Sequence, residues 1–310
     1  MYILYFIIGI IFVFTIGAFF AYRIAFYNSK KIKPMAALGS DQYAKHRETT
    51  RALMDEMKEL EFEEVSIVSF DGLMLFGKYY HLKDGAPLQI QCHGYRGNAY
   101  RDFCGGNKLA RESGFNTLVI DERAHGKSDG HSITLGINER KDVRAWIDFA
   151  ITRFGNDVQI VLVGISMGAA TVVMTSDLSL PRNVVGIIAD SPYSSPKEAI
   201  LKLSKDMGFP PGITYPFVYL GALLFGGFKI NEADASEAVK KANVPILVIH
   251  GEQDRLIPCE MSDAIKNSAP TLVIKETFST AGHGLSCLEE PERYRKLLND
   301  FYAICKIKGF

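Results

Sequence analysis

The chain has 310 residues, 47% of them hydrophobic and 23% charged, with a net charge of +0. That length holds one large or two small domains, and the apolar share suffices for a sizeable core. A balanced charge without a dense basic stripe argues against nucleic acid as a partner.

The N-terminus differs from the rest. Tyr2 to Tyr22 carries no charged side chain. As a helix it would be about 31 Å long, enough to cross a hydrocarbon core. A secretory signal would need a positive n-region and an Ala-x-Ala-like cleavage site, and the segment shows neither. A buried core helix fits poorly, because the run is too long and apolar all round. Residues 1–27 are therefore expected to form a single-pass anchor in the cell membrane. Arg23, Lys30, Lys31 and Lys33 follow it, so the positive-inside rule predicts a cytoplasmic catalytic domain. Cys92, Cys104, Cys259, Cys287 and Cys305 are odd in number and form no Cys-x-x-Cys pair, which suits reduced thiols. No spacing suggests a zinc site, and no metal is expected.

Residues 28–62 read as a polar juxtamembrane connector. Lys33-Pro34 breaks any helix continuing from the membrane. Asp41 to Leu60 is charged, with Leu53, Met57 and Leu60 at helical spacing, which predicts a surface helix acting as a spacer with one apolar edge.

Residues 63–310 read as one α/β domain. Val65–Phe70 and Leu73–His81 flank Asp71-Gly72, a hairpin signal. Leu88–Cys92, Thr117–Ile120, Val158–Val163, Val184–Ala189, Ile246–Ile249 and Leu272–Ile274 are further strand-like runs. Helices are predicted to end near Ser113, to cover Ile137–Phe154, and to close the chain over Pro291–Cys305. Apolar strands alternating with helices imply a mostly parallel sheet covered on both faces, with the hairpin adding antiparallel strands at one edge. Residues 208–231 interrupt this rhythm with Pro210-Pro211 and a nearly all-apolar run. They are expected to form a short apolar cap lining an acyl pocket. A second core patch and a monotopic membrane contact are the alternatives.

Gly164-Ile165-Ser166-Met167-Gly168 sits between a strand-like run and a small-residue helix. Strand, Gly-x-Ser-x-Gly, helix is the pattern of a nucleophile elbow, which strains the serine backbone and exposes its hydroxyl. A serine needs a base, and the base needs an orienting acid. Asp254 follows one strand and His283 the last, both at the expected carboxyl edge of the sheet. Asp190, at the end of an earlier strand, is the rival acid. The oxyanion donors are expected to be the Met167 and Tyr95 N–H groups, Tyr95 lying in the loop after Leu88–Cys92. His93, His125 and His250 should serve turns and support, Glu252 local hydrogen bonds. His46, His81 and His131 read as ordinary surface or loop residues.

Together, His93-Gly94, the stretch Asp121–Ser128, the Gly164–Gly168 elbow, Gly251-x-x-Asp254-x-x-Ile257-Pro258 and Gly282-His283-Gly284 resemble the α/β-hydrolase superfamily. Within it they look closest to membrane-anchored Bem46-like or serine-aminopeptidase S33-like hydrolases. The resemblance covers about residues 60–308. It implies a Ser166, His283, Asp254 triad and no cofactor. One departure is Ala124, where relatives commonly carry glycine.

The function expected is a membrane-anchored serine hydrolase that cleaves carboxylic esters, with a small-molecule or lipid-like acyl substrate and an acyl thioester as a variant. A peptidase or amidase of the same fold, or a non-catalytic membrane-tethered scaffold, are the alternatives. Oligomeric state is not legible.

Overall fold

Each strand-like run of the sequence becomes a strand, and among the described residues the eight strands form one sheet. The computed structural model describes residues 1–29 and 41–310. The strands are β1 (Glu63–Val68), β2 (Met74–Tyr80), β3 (Leu88–Cys92), β4 (Asn116–Ile120), β5 (Ile160–Ile165), β6 (Val184–Asp190), β7 (Ile246–Gly251) and β8 (Val273–Phe278). Their order across the sheet is β1-β2-β4-β3-β5-β6-β7-β8. β2 is antiparallel to both β1 and β4, and every other pairing is parallel. The expected mostly parallel sheet with an antiparallel edge is therefore present.

The helices are α1 (Tyr2–Ala25), α2 (Asp41–Ala44), α3 (Arg47–Lys58), α4 (Ala99–Glu112), α5 (Glu139–Phe154), α6 (Met167–Met174), α7 (Pro196–Asp206), α8 (Pro211–Gly221), α9 (Ala235–Ala238), α10 (Glu260–Ser268), α11 (Ser286–Glu289) and α12 (Pro291–Ile304). They cover both faces of the sheet, which is why β3 and β4 are buried along their whole length. Alternate residues of β5 divide between the faces. Ile160 and Leu162 join the core around Trp146 and Val173, while Val161 packs with Leu298, Phe301 and Tyr302 of α12.

The β1–β2 hairpin turns earlier than the apolar run suggests. The Ser69 hydroxyl donates to Asp71 Oδ1 at 2.6 Å and accepts the Leu73 N–H at 2.8 Å, so the chain leaves β1 after Val68. Asp71 also receives Arg123, whose guanidinium bonds Asp142 of α5 at 2.6 and 2.7 Å and Asp71 at 2.9 and 3.1 Å. Arg123 is 3% exposed. One buried cation thus ties the hairpin to the β4 loop and α5.

α1 is a helix long and apolar enough to cross a bilayer. Its first half touches little, and its second half is docked. The Gly17 backbone admits the Phe217 ring, and Gly221 of α8 sits against the Ala18 carbonyl. Phe26 is fully buried, Tyr22 Oη and Ser132 Oγ lie 2.7 Å apart, and Asn28 Nδ2 donates to the Ala124 carbonyl at 2.8 Å. That last bond braces Ala124, which holds the left-handed φ of +63°. The turn keeps its shape with alanine.

Lys33-Pro34 and the lysines at 30, 31 and 33 lie outside the described residues. The rest of the connector is more than a spacer. α3 buries Met54 and Met57 in a cluster with Phe103 and Cys104 of α4. The cap region folds as α8 followed by a wide helical turn, Ala222–Gly226, with Pro211 in the first turn.

Removing one partner of a buried ion pair leaves the other charge unpaired. Arg123→Leu should lower unfolding stability by about 3–5 kcal/mol. The check is urea unfolding of the full chain in detergent micelles. A loss no larger than that of a surface substitution would show that the Arg123 bridge does not hold the hairpin.

Candidate active site

The β5–α6 turn is the tightest part of the sheet edge. Ser166 has φ +58° and ψ −116°, a strained conformation for a residue with a side chain. Its N–H donates to the Asp190 carbonyl at 2.8 Å. A Cβ on Gly164 would lie 2.2 Å from the Gly168 carbonyl oxygen, and one on Gly168 would lie 2.0 Å from the Cys92 carbonyl oxygen. Both glycines of the elbow are therefore there for space, not for backbone freedom. Ser166 is left half-buried at the start of α6.

Asp254 and His283 meet on loops beyond β7 and β8. His283 Nδ1 lies 2.6 Å from Asp254 Oδ2. The other carboxylate oxygen accepts the Leu256 and Ile257 N–H groups at 2.9 and 2.8 Å. His250 Nε2 is 3.2 Å from Oδ2, and its Nδ1 pairs with the Ser262 hydroxyl. Burial of Asp254 opposes its ionisation, but the hydrogen bonds of His250 and His283 outweigh it and hold the carboxyl well below its ordinary range. The two loops are pressed together at Gly251, where a Cβ would lie 2.2 Å from the Ala281 carbonyl oxygen.

Ser166 and His283 share this edge without a direct hydrogen bond. Their neighbours are in contact, since a Cβ on Gly284 would lie 3.4 Å from Ile165 Cγ2. The Gly284 N–H is held by Ser191 Oγ at 3.1 Å. Catalytic hydrogen bonds are often loose in the absence of substrate. Asp190, the rival acid, points elsewhere: its carboxylate takes Ser191 Oγ at 3.0 Å and the Tyr294 hydroxyl at 3.1 Å. Glu252 bonds Thr277 locally, as expected.

The loop after β3 passes directly beside the elbow, the Cβ position of Gly94 being 3.3 Å from Ser166 Cβ. Among the described residues, the Tyr95 and Met167 N–H groups have no acceptor. His125 Nε2 accepts the Arg96 N–H at 3.0 Å, and His93 Nε2 accepts the Glu122 N–H at 3.2 Å. Burial lowers the pKa of both imidazoles, His125 strongly. Neutral rings that accept at Nε2 carry their proton on Nδ1, where the Gly94 and Arg123 carbonyls receive it. Asp102, paired with Arg101, accepts the Gly94 N–H at 2.8 Å.

Two contacts had no sequence signal beyond polar residues in a connector. The Tyr43 hydroxyl donates to the His283 carbonyl at 3.1 Å. His46 Nε2 lies 2.7 Å from Glu289 Oε1. His46 is buried, not a surface residue, because α2 and α3 fold back over the His283 loop. Tyr95 also has a second role: its hydroxyl donates to the Ala25 carbonyl at 2.9 Å, and Arg96 Nη2 donates to Ile24 and Tyr27 carbonyls at 2.9 and 3.1 Å. A cavity of about 80 Å³ adjoins Ile165 and Gly284, but it is lined by Asp102, Cys104, Asp190 and Tyr294 and by no residue of α8. It is not a pocket under the cap.

The sequence model for the alpha/beta hydrolase fold matches residues 90–224. The uncharacterized protein YqkD of Bacillus subtilis is 24% identical over 93% of this chain and 92% of its own length. The bifunctional esterase/perhydrolase DCH of Acinetobacter calcoaceticus is 24% identical over 75% of this chain and 97% of its own. Among solved structures, the Pyrococcus furiosus esterase Pf2001 superposes with a TM-score of 0.65 at 22% identity, covering 80% of this chain and 92% of that one. The sheet order, the elbow between β5 and α6, and these likenesses agree: this chain is an α/β-hydrolase-fold protein.

Proposed function

We propose that this protein is a serine hydrolase of carboxylic esters, with Ser166 as nucleophile, His283 as base and Asp254 as the orienting acid. The observation that carries the reading is the 2.6 Å His283–Asp254 bond on loops beside a strained Ser166 at the carboxyl edge of the sheet. The names of DCH and Pf2001 support ester chemistry for chains of this build.

In this mechanism His283 Nε2 takes the Ser166 proton as the oxygen attacks the ester carbonyl. The Tyr95 and Met167 N–H groups receive the tetrahedral oxyanion. Collapse expels the alcohol, protonated by His283, and leaves an acyl-enzyme. Water, deprotonated by His283, then releases the acid. Asp254 stays ionised throughout, keeps the Nδ1 proton in place and stabilises the imidazolium.

Residues 1–27 hold this site at the cell membrane as a single-pass anchor, with the domain on the side of Arg23. The substrate class we assign is an acyl ester of lipid-like character, and an acyl thioester would follow the same steps. Tyr43 is a positioning residue in this scheme, since its hydroxyl reaches the carbonyl of His283 and no reacting atom.

Ser166→Ala should reduce turnover of p-nitrophenyl esters by at least about 10⁴-fold, and should abolish labelling by a serine-directed phosphonate. Unchanged turnover would remove Ser166 from the reaction. Tyr43→Phe should lower kcat about fivefold, the equivalent of one lost hydrogen bond, with KM unchanged. A change confined to KM, or none, would reduce Tyr43 to a packing role.

A further inference from the structure

α8 and α1 run side by side in the same direction. Phe14 stacks on Phe217 with centroids 5.1 Å apart, the Gly17 Cβ position lies 2.7 Å from the Phe217 ring, and Phe19 meets Phe225 edge-on at 5.3 Å. Between them, the Gly221 Cβ position lies 2.5 Å from the Ala18 carbonyl oxygen. Small residues at both close points let the backbones approach, as they do between helices packed in lipid.

This packing restricts where a membrane can sit. The part of α1 not flanked by the cap, Tyr2–Val13, is about 18 Å long at a rise of about 1.5 Å per residue. A hydrocarbon core is about 30 Å thick. If α1 crosses the bilayer, the half beside α8 must lie in hydrocarbon too, and the cap goes with it. The cap surface fits that placement. Pro211–Gly226 has no charged side chain. Its outward residues are apolar, with Ile213 66%, Leu224 53% and Leu223 42% exposed. They continue the exposed apolar surface of α1.

We propose that α8 and the turn Ala222–Gly226 are immersed in one leaflet of a lipid bilayer beside α1, in the leaflet facing the catalytic domain. The inference rests on the reading of α1 as a membrane anchor. The domain then floats low. The last turn of α1 marks the lipid–water boundary, with the Arg23 guanidinium 3.6 Å over the Tyr27 ring, an amphipathic pair suited to headgroups. Tyr95, the proposed oxyanion residue, is bonded to Ala25 in that turn. The entrance to the site therefore stands at the level where ester bonds of membrane lipids lie, and an acyl chain reaches it by moving sideways out of the leaflet.

The test uses the full chain in phosphatidylcholine vesicles whose acyl chains are brominated near their middle, with unbrominated vesicles as reference. Trp146 is the sole tryptophan and is fully buried in the domain core, so it supplies an unquenched baseline. Ile213→Trp and Leu224→Trp add reporters on the cap, and Ile7→Trp adds one on the free half of α1. Loss of the added emission in both cap variants, alongside Ile7→Trp, is the expected result. Quenching of Ile7→Trp with full emission from the cap variants would overturn the proposal and leave the anchor standing. Full emission from all three would remove the anchor and the immersion together.

Discussion

The site depends on a close approach of bare backbone. The start of α6 is pressed so near the end of β3 that the Cys92 carbonyl occupies the place of any side chain at position 168. A turn this sharp is what forces Ser166 into a strained conformation and lifts it from the core. The same approach brings the loop after β3 beside the serine, as the proposed oxyanion donors Tyr95 and Met167 require. The proposed nucleophile and oxyanion donors thus depend on one steric event. The Gly251–Ala281 contact does the same for the proposed acid and base, because two loops that touch by backbone hold Asp254 and His283 together.

Around these contacts the polar groups are arranged so that few are left to water. His93 and His125, neutral because they are buried, use their nitrogens to hold backbone. Asp254 spends both oxygens, one on the backbone of its own loop and one on imidazoles. A carboxylate with that many donors cannot rotate away from His283, and it remains charged where a buried acid would otherwise be neutral. Asp190 is the contrast. It is equally buried, but a tyrosine and a serine hydroxyl take its oxygens, and burial pushes its pKa up.

Much of this was legible in the sequence, and for identifiable reasons. Central strands buried on both faces leave continuous apolar runs and the first two flank Asp71-Gly72, so each strand could be placed, with ends shifted where side chains such as Ser69 close the turn. The elbow was legible because steric exclusion leaves glycine no substitute. Asp190 and Asp254 both fall between Ser166 and His283, so chain order leaves both open, and the structure distinguishes them by what their oxygens touch. The contacts of Tyr43, His46 and Arg96 were not legible. Each joins positions 69 or more residues apart through one polar group, and such pairs leave no periodicity. The connector looked like a spacer because its apolar positions are few. It is held by Met54 and Met57 under α4 and by hydrogen bonds to the His283 loop.

The bonds from Tyr95 and Arg96 to the last carbonyls of α1 have a consequence for how such a protein can vary. A tether needs only length and greasiness, so unrelated sequences can replace one another in that office. Here the helix end is a structural part of the enzyme body: Phe26 fills its core, Asn28 braces the Ala124 turn, and the Ile24 and Ala25 carbonyls receive side chains from the loop beside Ser166. Exchanging this helix for another of equal hydrophobicity would therefore disturb the loop beside Ser166 as well. The residues of α1 that meet the domain, from Phe14 onward, are constrained by that packing, as the residues before them are not.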